Sequence, residues 1–482
     1  MTTDLANLLE KQRRSFADDG PPSAAVRRNR IDRLMAMVLD NVDAFTEAMA
    51  HDFGTRSREA SLATELIGII PVVEHTRSHV RQWMRPRSLL RPARLAGLRA
   101  QVQPTPLGVV GIIGPWNFPL QLVVVPAAAA FAAGNRVMIK MSEITWRTAE
   151  LMQRLAPDYF DEAELAVVTG GPEVAGAFAG LPFDHVFFTG SPPVGSLVQR
   201  AAAQNLVPVT LELGGKNPVV VGPGADIRRS AKRIAAGRMV NGGQACVCPD
   251  HVLVPEGEVD AFVDAARQAL QAMFPTILAN DDYCSCVNDA NFDRVLGLIE
   301  DARRRGAEVE TVAPAGEALP DRISRKIAPT IVRGVEPTMR ICEEEIFGPV
   351  LVVQGYTSLD EAIETINGRP APLVAYWFGP DDKNFRDFVR RSRSGGVARN
   401  DFAAHMIPPG APFGGVGRSG MGAYHGKVGF DAFSHYRTVV GSDLPFSITG
   451  SAAPPFRPAM RFYAEAMVRS ARNRARRRSR RV

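Results

Sequence analysis

Leu107-Gly108-Val109-Val110-Gly111-Ile112-Ile113-Gly114-Pro115-Trp116-Asn117-Phe118-Pro119 is where the chain changes its period. An apolar run rich in β-branched residues that ends in Gly and Pro reads as a fully buried strand running into a tight turn. Runs of the same kind recur at 136–139, 165–168, 185–188 and 207–211, separated by helical patterns at 120–133, 145–155, 173–179 and 194–203. That alternation predicts parallel strands with helices on both faces, the doubly wound arrangement. A second alternation begins at Asp226, with helices expected at 227–239, 259–273 and 292–305 and strands at 252–254, 350–354 and 374–378. The fold expected is therefore α/β, with two doubly wound domains.

Working outward, residues 1–85 read as helices. Apolar residues at Ile31, Leu34, Met35, Val38, Leu39, Val42, Phe45 and Met49 mark one continuous helical face closed by Gly54, and a second helical stretch runs from Arg58 towards Trp83. Between Arg85 and Pro106 the sequence is punctuated by Arg and Pro, which suggests an excursion from the main body. At 482 residues the chain is too long for a single core. Its five cysteines form no evenly spaced framework, and the first twenty residues lack the apolar core of a signal peptide, so a reducing, cytoplasmic setting is expected. The net charge of +6 is uneven: ten arginines and one glutamate between Arg457 and Val482 supply nine positive charges, leaving the rest of the chain at −3. An anionic partner would meet that tail.

Reactive chemistry is concentrated in Asn241-Gly242-Gly243-Gln244-Ala245-Cys246-Val247-Cys248-Pro249-Asp250. Core cysteines usually sit inside apolar runs, so Cys246 among glycines is a candidate nucleophile, the alternative being an unreactive structural thiol. Gly190 and Gly195, after one expected strand and before a helix, have the layout of a phosphate-binding turn, although the spacing departs from the usual fingerprint and Pro192 and Pro193 remove two N–H donors. Cys246-x-Cys248 and Cys284-x-Cys286 are spaced too closely for an ordinary zinc site, and no metal is expected.

These stretches, with Leu211-Glu212-Leu213-Gly214-Gly215-Lys216, Glu345-Ile346-Phe347-Gly348-Pro349 and Pro412-Phe413-Gly414-Gly415-Val416, resemble the aldehyde dehydrogenase superfamily in their order and over most of the chain. The run from Pro412 to Gly426, and Asp52-Phe53-Gly54 near the start, resemble its class 3 branch, and the Gly108–Pro119 and Gly134–Lys140 stretches look most like the coniferyl aldehyde dehydrogenases of bacteria. The resemblance implies NAD(P)-dependent oxidation of an aldehyde, aromatic or medium- to long-chain aliphatic, to its acid. Cys246 then matches the nucleophile, Glu212 the base that activates water and Asn117 the donor to the oxyanion; the last is otherwise a good turn residue. Trp116, Gly190, Ser191, Gly195 and Gly214 match the cofactor cradle, Lys140 and Glu143 the adenosine ribose contacts, and Glu345 and Phe347 the nicotinamide side. Lys140 and Glu143 also read as a strand-end ion pair, and Glu345 as part of an acidic turn. A carboxylate at 143 favours NAD without excluding NADP. Cys246 as thiolate requires a depressed pKa, from a helix N-terminus or a nearby cation.

On this resemblance residues 1–84 and 106–212 form the dinucleotide-binding domain, 213–425 the catalytic domain, 85–105 and 426–445 the β segments of a homodimer, and 446–482 a basic tail. From Met460, apolar residues at helical spacing with arginines around them suggest an anionic membrane surface as a partner, with a solvated end or non-specific nucleic-acid contact as alternatives; no specific nucleic acid is expected. Two other functions stay open: a semialdehyde or acyl-phosphate reductase, and a catalytically silent binding protein.

Overall fold

The computed structural model describes residues 2–89, 97–445, 447, 449–450 and 453–479. Parts of the expected bridging segment (90–96) and of the basic tail (446, 448, 451–452 and 480–482) lie outside the described residues.

Met1–Met84 and Pro104–His435 cluster as one unit, Arg85–Gln103 and Tyr436–Val482 as another. The first holds two sheets. In the six-stranded sheet the order is Gly420–Met421, Val209–Leu213, His185–Gly190, Val109–Ile113, Arg136–Lys140, Leu165–Val168, all parallel except the short first strand. The chain starts at Val109–Ile113, builds outward to one side, then crosses back to His185–Gly190 on the other. Strand order thus reverses between these two, and ligands of open α/β sheets bind at the carboxyl ends flanking such a switch. The seven-stranded sheet runs Glu308–Thr311, Thr330–Arg333, Val350–Tyr356, His251–Pro255, Pro218–Val221, Val374–Phe378, Gly396–Arg399, with only Glu308–Thr311 antiparallel.

Strands 109–113, 136–140 and 165–168 are buried at every position, as strands covered on both faces must be. The helix Gln121–Ala133 is also buried all round, and its Gly134 cap takes the left-handed conformation that closes a helix, φ 98°. Asn135 Oδ1 accepts the backbone N–H groups of Leu107 and Gly108 at 2.8 and 3.0 Å, tying the end of that helix to the start of the first strand.

Three expectations need correction. The helical face drawn from Ile31 to Met49 belongs to two helices, Ala24–Leu39 and Val42–Phe53, because Asn41 turns its amide back onto Met37 O (2.9 Å) and breaks the ladder. The second sheet has four strands, Pro218–Val221, Glu308–Thr311, Thr330–Arg333 and Gly396–Arg399, beyond the three expected, and two of them, Glu308–Thr311 and Gly396–Arg399, are edge strands that are only partly buried and so lack the apolar run of a covered strand. Residues 426–432 form a helix packed in the first unit, with Phe430 5.7 Å from Trp83 between ring centroids, so the bridging strand begins only at Ser434.

Arg87–Ser88, Leu98–Pro106 and Ser434–Ser442 form a three-stranded sheet, most of it in the second unit, where Pro458–Ser479 is a 22-residue helix. Among the described residues no helix is long and apolar enough to cross a membrane.

Candidate active site

A cavity of about 1080 Å³ lies at the carboxyl ends of the first sheet's strands, in the first unit. Asn117 and Trp116 enter it from the turn after Val109–Ile113, Gly190 and Ser191 from the end of His185–Gly190, and Glu212 and Gly214 from the end of Val209–Leu213. From the second sheet's side come Cys246, Glu345 and Phe347. Strand register explains part of this convergence: Thr189 pairs with Glu212, which brings two adjacent strand ends to one wall.

Cys246 lies between the 3-10 turn Val240–Gly243 and the strand His251–Pro255, in a loop held by side chains from elsewhere. Asn217 Nδ2 donates to Cys246 O (2.7 Å) and Cys248 O (3.0 Å), and Tyr376 Oη donates to Val247 O (2.7 Å). Gly243, at φ 80°, leaves room for the Gly348 carbonyl, which an added Cβ would meet at 2.2 Å. Lys216 pairs with Asp250 and donates to Ile341 O (2.8 Å) and Glu344 O (2.9 Å), while Asp250 Oδ2 accepts Ile346 N–H (2.9 Å). The lysine of Glu-Leu-Gly-Gly-Lys thus fastens the cysteine loop to the turn that carries Glu345.

The expected thiol activation is not found. Burial raises the Cys246 pKa, and the charges of Glu345, Glu212 and Cys248 raise it further, against a lowering by the Cys246 backbone N–H. Glu212, expected just beyond a strand, is inside it and buried, 2% exposed. Among the described residues neither of its carboxylate oxygens has a hydrogen-bond partner, and burial holds its pKa well above the usual range. Glu345 is pushed up to about 8, chiefly by burial and by the Asp250 charge, against a hydrogen bond from the Gly215 backbone. Gly214 gives that carboxylate its space: a Cβ there would meet Glu345 Oε2 at 2.2 Å.

Asn117 is buried, and its Nδ2 donates to Gln244 O at 3.2 Å, which leaves a second amide hydrogen for another acceptor. Trp116 and Phe347 meet edge to face at 5.4 Å, and Phe347 has positive φ, 47°. Leu122, Phe413 and Tyr424 give the cavity an apolar, aromatic wall.

Lys140, Glu143 and Gly195 do not line the cavity. Lys140 is buried, donates to Met141 O (2.6 Å) and pairs with the half-exposed Glu143 at 3.7 Å, the strand-end ion pair. Gly195 allows its helix to approach the neighbouring strand, since a Cβ would lie 2.8 Å from Leu213 Cδ2. Close helix–strand packing is the task of the third glycine in a dinucleotide fingerprint. Sequence reasoning missed Tyr424, whose buried hydroxyl has no partner among the described residues and feels the charges of Glu212 and Cys246. His75 and His79, one helical turn apart with rings 4.2 Å apart, do not line the cavity. Cys248 is buried, with Sγ donating to Gly237 O at 3.4 Å.

Residues 4–439 match the model of the aldehyde dehydrogenase family. The chain belongs to the aldehyde dehydrogenase family. It is 46% identical over 438 residues, 90% of each chain, to a probable coniferyl aldehyde dehydrogenase of Caulobacter vibrioides. It is 35% identical to the rat aldehyde dehydrogenase named dimeric and NADP-preferring, over 92% of this chain and 95% of that one. Among solved structures, Staphylococcus aureus AldH in a substrate-bound state superposes with a TM-score of 0.88 at 34% identity, covering 96% of this chain and 99% of that one. This aldehyde dehydrogenase is thus an NAD(P)-dependent enzyme that oxidises aldehydes to acids. The cavity suits such a cofactor, with aromatic edges at Trp116 and Phe347, the glycines 190 and 214 and a carboxylate at 345 facing one space.

Proposed function

We propose that Cys246 is the nucleophile, Asn117 the oxyanion donor and Glu212 the hydrolytic base, acting on an aromatic aldehyde of the coniferyl type. The observation that carries this is the convergence of a thiol, an amide with a spare N–H and a buried, unpartnered carboxylate on one cavity with an aromatic wall. The thiol gives up its proton to water, and Sγ bonds to the aldehyde carbon. The negative charge that develops on the aldehyde oxygen is received by Asn117 Nδ2 and the backbone N–H of Cys246. NAD or NADP, when bound, supplies the acceptor for the hydride that leaves this carbon, and the carbon becomes a thioester. Glu212 then takes a proton from water, whose oxygen adds to the thioester carbon; the C–S bond breaks, freeing the acid and the Cys246 thiolate.

Trp116, Gly190, Ser191, Gly214, Glu345 and Phe347 would hold the cofactor along the cavity, with Gly195 packing the helix beneath it and Lys140 and Glu143 at the adenosine ribose. The half-exposed Glu143 carboxylate supports NAD over NADP, because it would repel a 2′-phosphate. A carboxylate at 212 supports water as acyl acceptor, so the reductase alternative is not favoured.

Homodimerisation is proposed through the edge strand Ser434–Ser442, where Val439 and Val440 are exposed, in keeping with the name of the rat relative. The helix Pro458–Ser479 is proposed to lie on an anionic membrane surface.

Formation of reduced cofactor, followed by absorbance with aromatic and straight-chain aldehydes, tests the substrate. Hydroxycinnamaldehydes are expected to give the highest kcat/KM with NAD, and Cys246→Ala to abolish turnover. Equal or better kcat/KM with hexanal would overturn the aromatic assignment.

A further inference from the structure

The chemistry described above makes no use of a fully buried ion pair behind the Asn117 turn. The side chains of Arg56 and Glu65 have no solvent exposure and meet at 3.3 Å. Arg56 lies in the loop after Val42–Phe53, and Glu65 in a single π turn, Leu62–Leu66, a form of widened helix found frequently at functional sites. Taking two charges out of water is unfavourable unless hydrogen bonds satisfy both partners. Here the two grip a single segment. Arg56 Nη1 donates to Asn117 O at 2.9 Å. Glu65 Oε2 accepts the backbone N–H of Gln121 at 2.7 Å and interacts with that of Leu120, capping the helix that follows. The guanidinium lies 4.8 Å from the Phe53 ring centroid and 5.7 Å from that of Phe118, the residue after Asn117. On the other side, Asn241 Nδ2 donates to the same Asn117 carbonyl at 3.2 Å.

We propose that Arg56 and Glu65 are positioning residues for Asn117. Arg56 holds its carbonyl and Glu65 holds the helix start four residues on, so the peptide planes around residue 117, and with them the direction of its side-chain amide, are set by the pair. The proposal rests on the assignment of Asn117 as oxyanion donor. Neither charged group touches the cavity; their effect on the reaction passes through one amide.

The test is a double-variant cycle in the full chain, measuring kcat, the KM for NAD and Tm for Arg56→Lys, Asn117→Ala and the pair together. A lysine retains the charge but loses the planar fork that reaches carbonyl and carboxylate at once. Arg56→Lys is expected to lower kcat about tenfold or more, since small misplacements of a reacting group are costly, with the KM for NAD within about twofold. In the Asn117→Ala background it is expected to change kcat by less than about twofold, because contributions made through one group are not additive. A merely structural role would leave the losses multiplicative, and that result overturns the proposal. Should Arg56→Lys fail to fold, Glu65→Gln, which keeps the volume, carries the same cycle with the same two outcomes. An Asn117→Ala enzyme with undiminished kcat would remove the oxyanion assignment itself, whereas an impaired Asn117→Ala enzyme with multiplicative losses removes only the positioning role.

Discussion

Glu212 lies in the strand Val209–Leu213 and lines the cavity. A glutamate at a strand end is usually solvated, yet this one is 2% exposed with both oxygens unpartnered among the described residues. Burial disfavours its charged form, so the base needed for thioester hydrolysis is present only above its raised pKa. Steady-state turnover is therefore expected to climb with pH through that pKa. Glu212→Gln is expected to keep a rapid burst of reduced cofactor in stopped flow while steady-state kcat falls by roughly 10²–10⁴-fold; a variant losing burst and steady state equally would show that Glu212 acts before hydrolysis. Glu345 gives a stability prediction whose sign follows from its pKa, about 8 against an ordinary 4.5. A carboxyl raised on folding contributes stability that is fully present below pH 4.5 and lost as pH rises through 8. Glu345→Gln is expected to flatten that decline between pH 4.5 and 8 in thermal melts, with no change in slope counting against the assignment.

The loop from Val240 to Asp250 has little regular structure, and its shape comes from partners far along the chain. Asn217 satisfies the carbonyls of both Cys246 and Cys248 and accepts Val374 N–H at 3.1 Å. Asn217→Ala leaves buried groups unpaired, each costing about 1–3 kcal/mol. The variant is expected to show a lowered denaturation midpoint and slower alkylation of Cys246 by iodoacetamide; wild-type values for both would show that the loop holds its own shape. Gly243→Ala is expected to be the harsher change. Its φ of 80° is unfavourable for alanine by roughly 1–2 kcal/mol, and the added Cβ would press on a backbone carbonyl that has little freedom to move.

Across the whole molecule, seven of the ten arginines behind the uneven charge fall on the helix Pro458–Ser479. Met460, Tyr463, Ala464, Met467, Val468 and Ala471 fall along one side of a 3.6-residue helix, Tyr463, Met467 and Val468 are exposed, and arginines occupy much of the rest. Each basic residue near an anionic surface contributes on the order of 1 kcal/mol. A chain ending at Pro455 is expected to retain kcat and to stop sedimenting with phosphatidylserine vesicles, while the full chain pellets at low salt and less at high salt. Equal pelleting by both chains would exclude the tail as the membrane contact.

Long, strongly patterned stretches were legible from the residues alone: the buried strands at 109–113 and 136–140, the buried helix after Leu120, the first α/β alternation and, through the ordered motifs, the family. Local chemistry decides these, because burial on both faces demands unbroken apolar runs and a tight turn demands Gly or Pro. The structure alone decided that Asn41 divides one apolar face into two helices, that Lys216 and Asn217 hold the cysteine loop, that Tyr424 reaches the reactive groups, and that Cys246 meets carboxylates where a cation was expected. Apart from the Asn41 break, which is local, those facts join residues tens to hundreds of positions apart. The sign of a pKa shift or the anchor of a loop is set by which groups meet in a water-poor interior, and that meeting exists only once both sheets have formed.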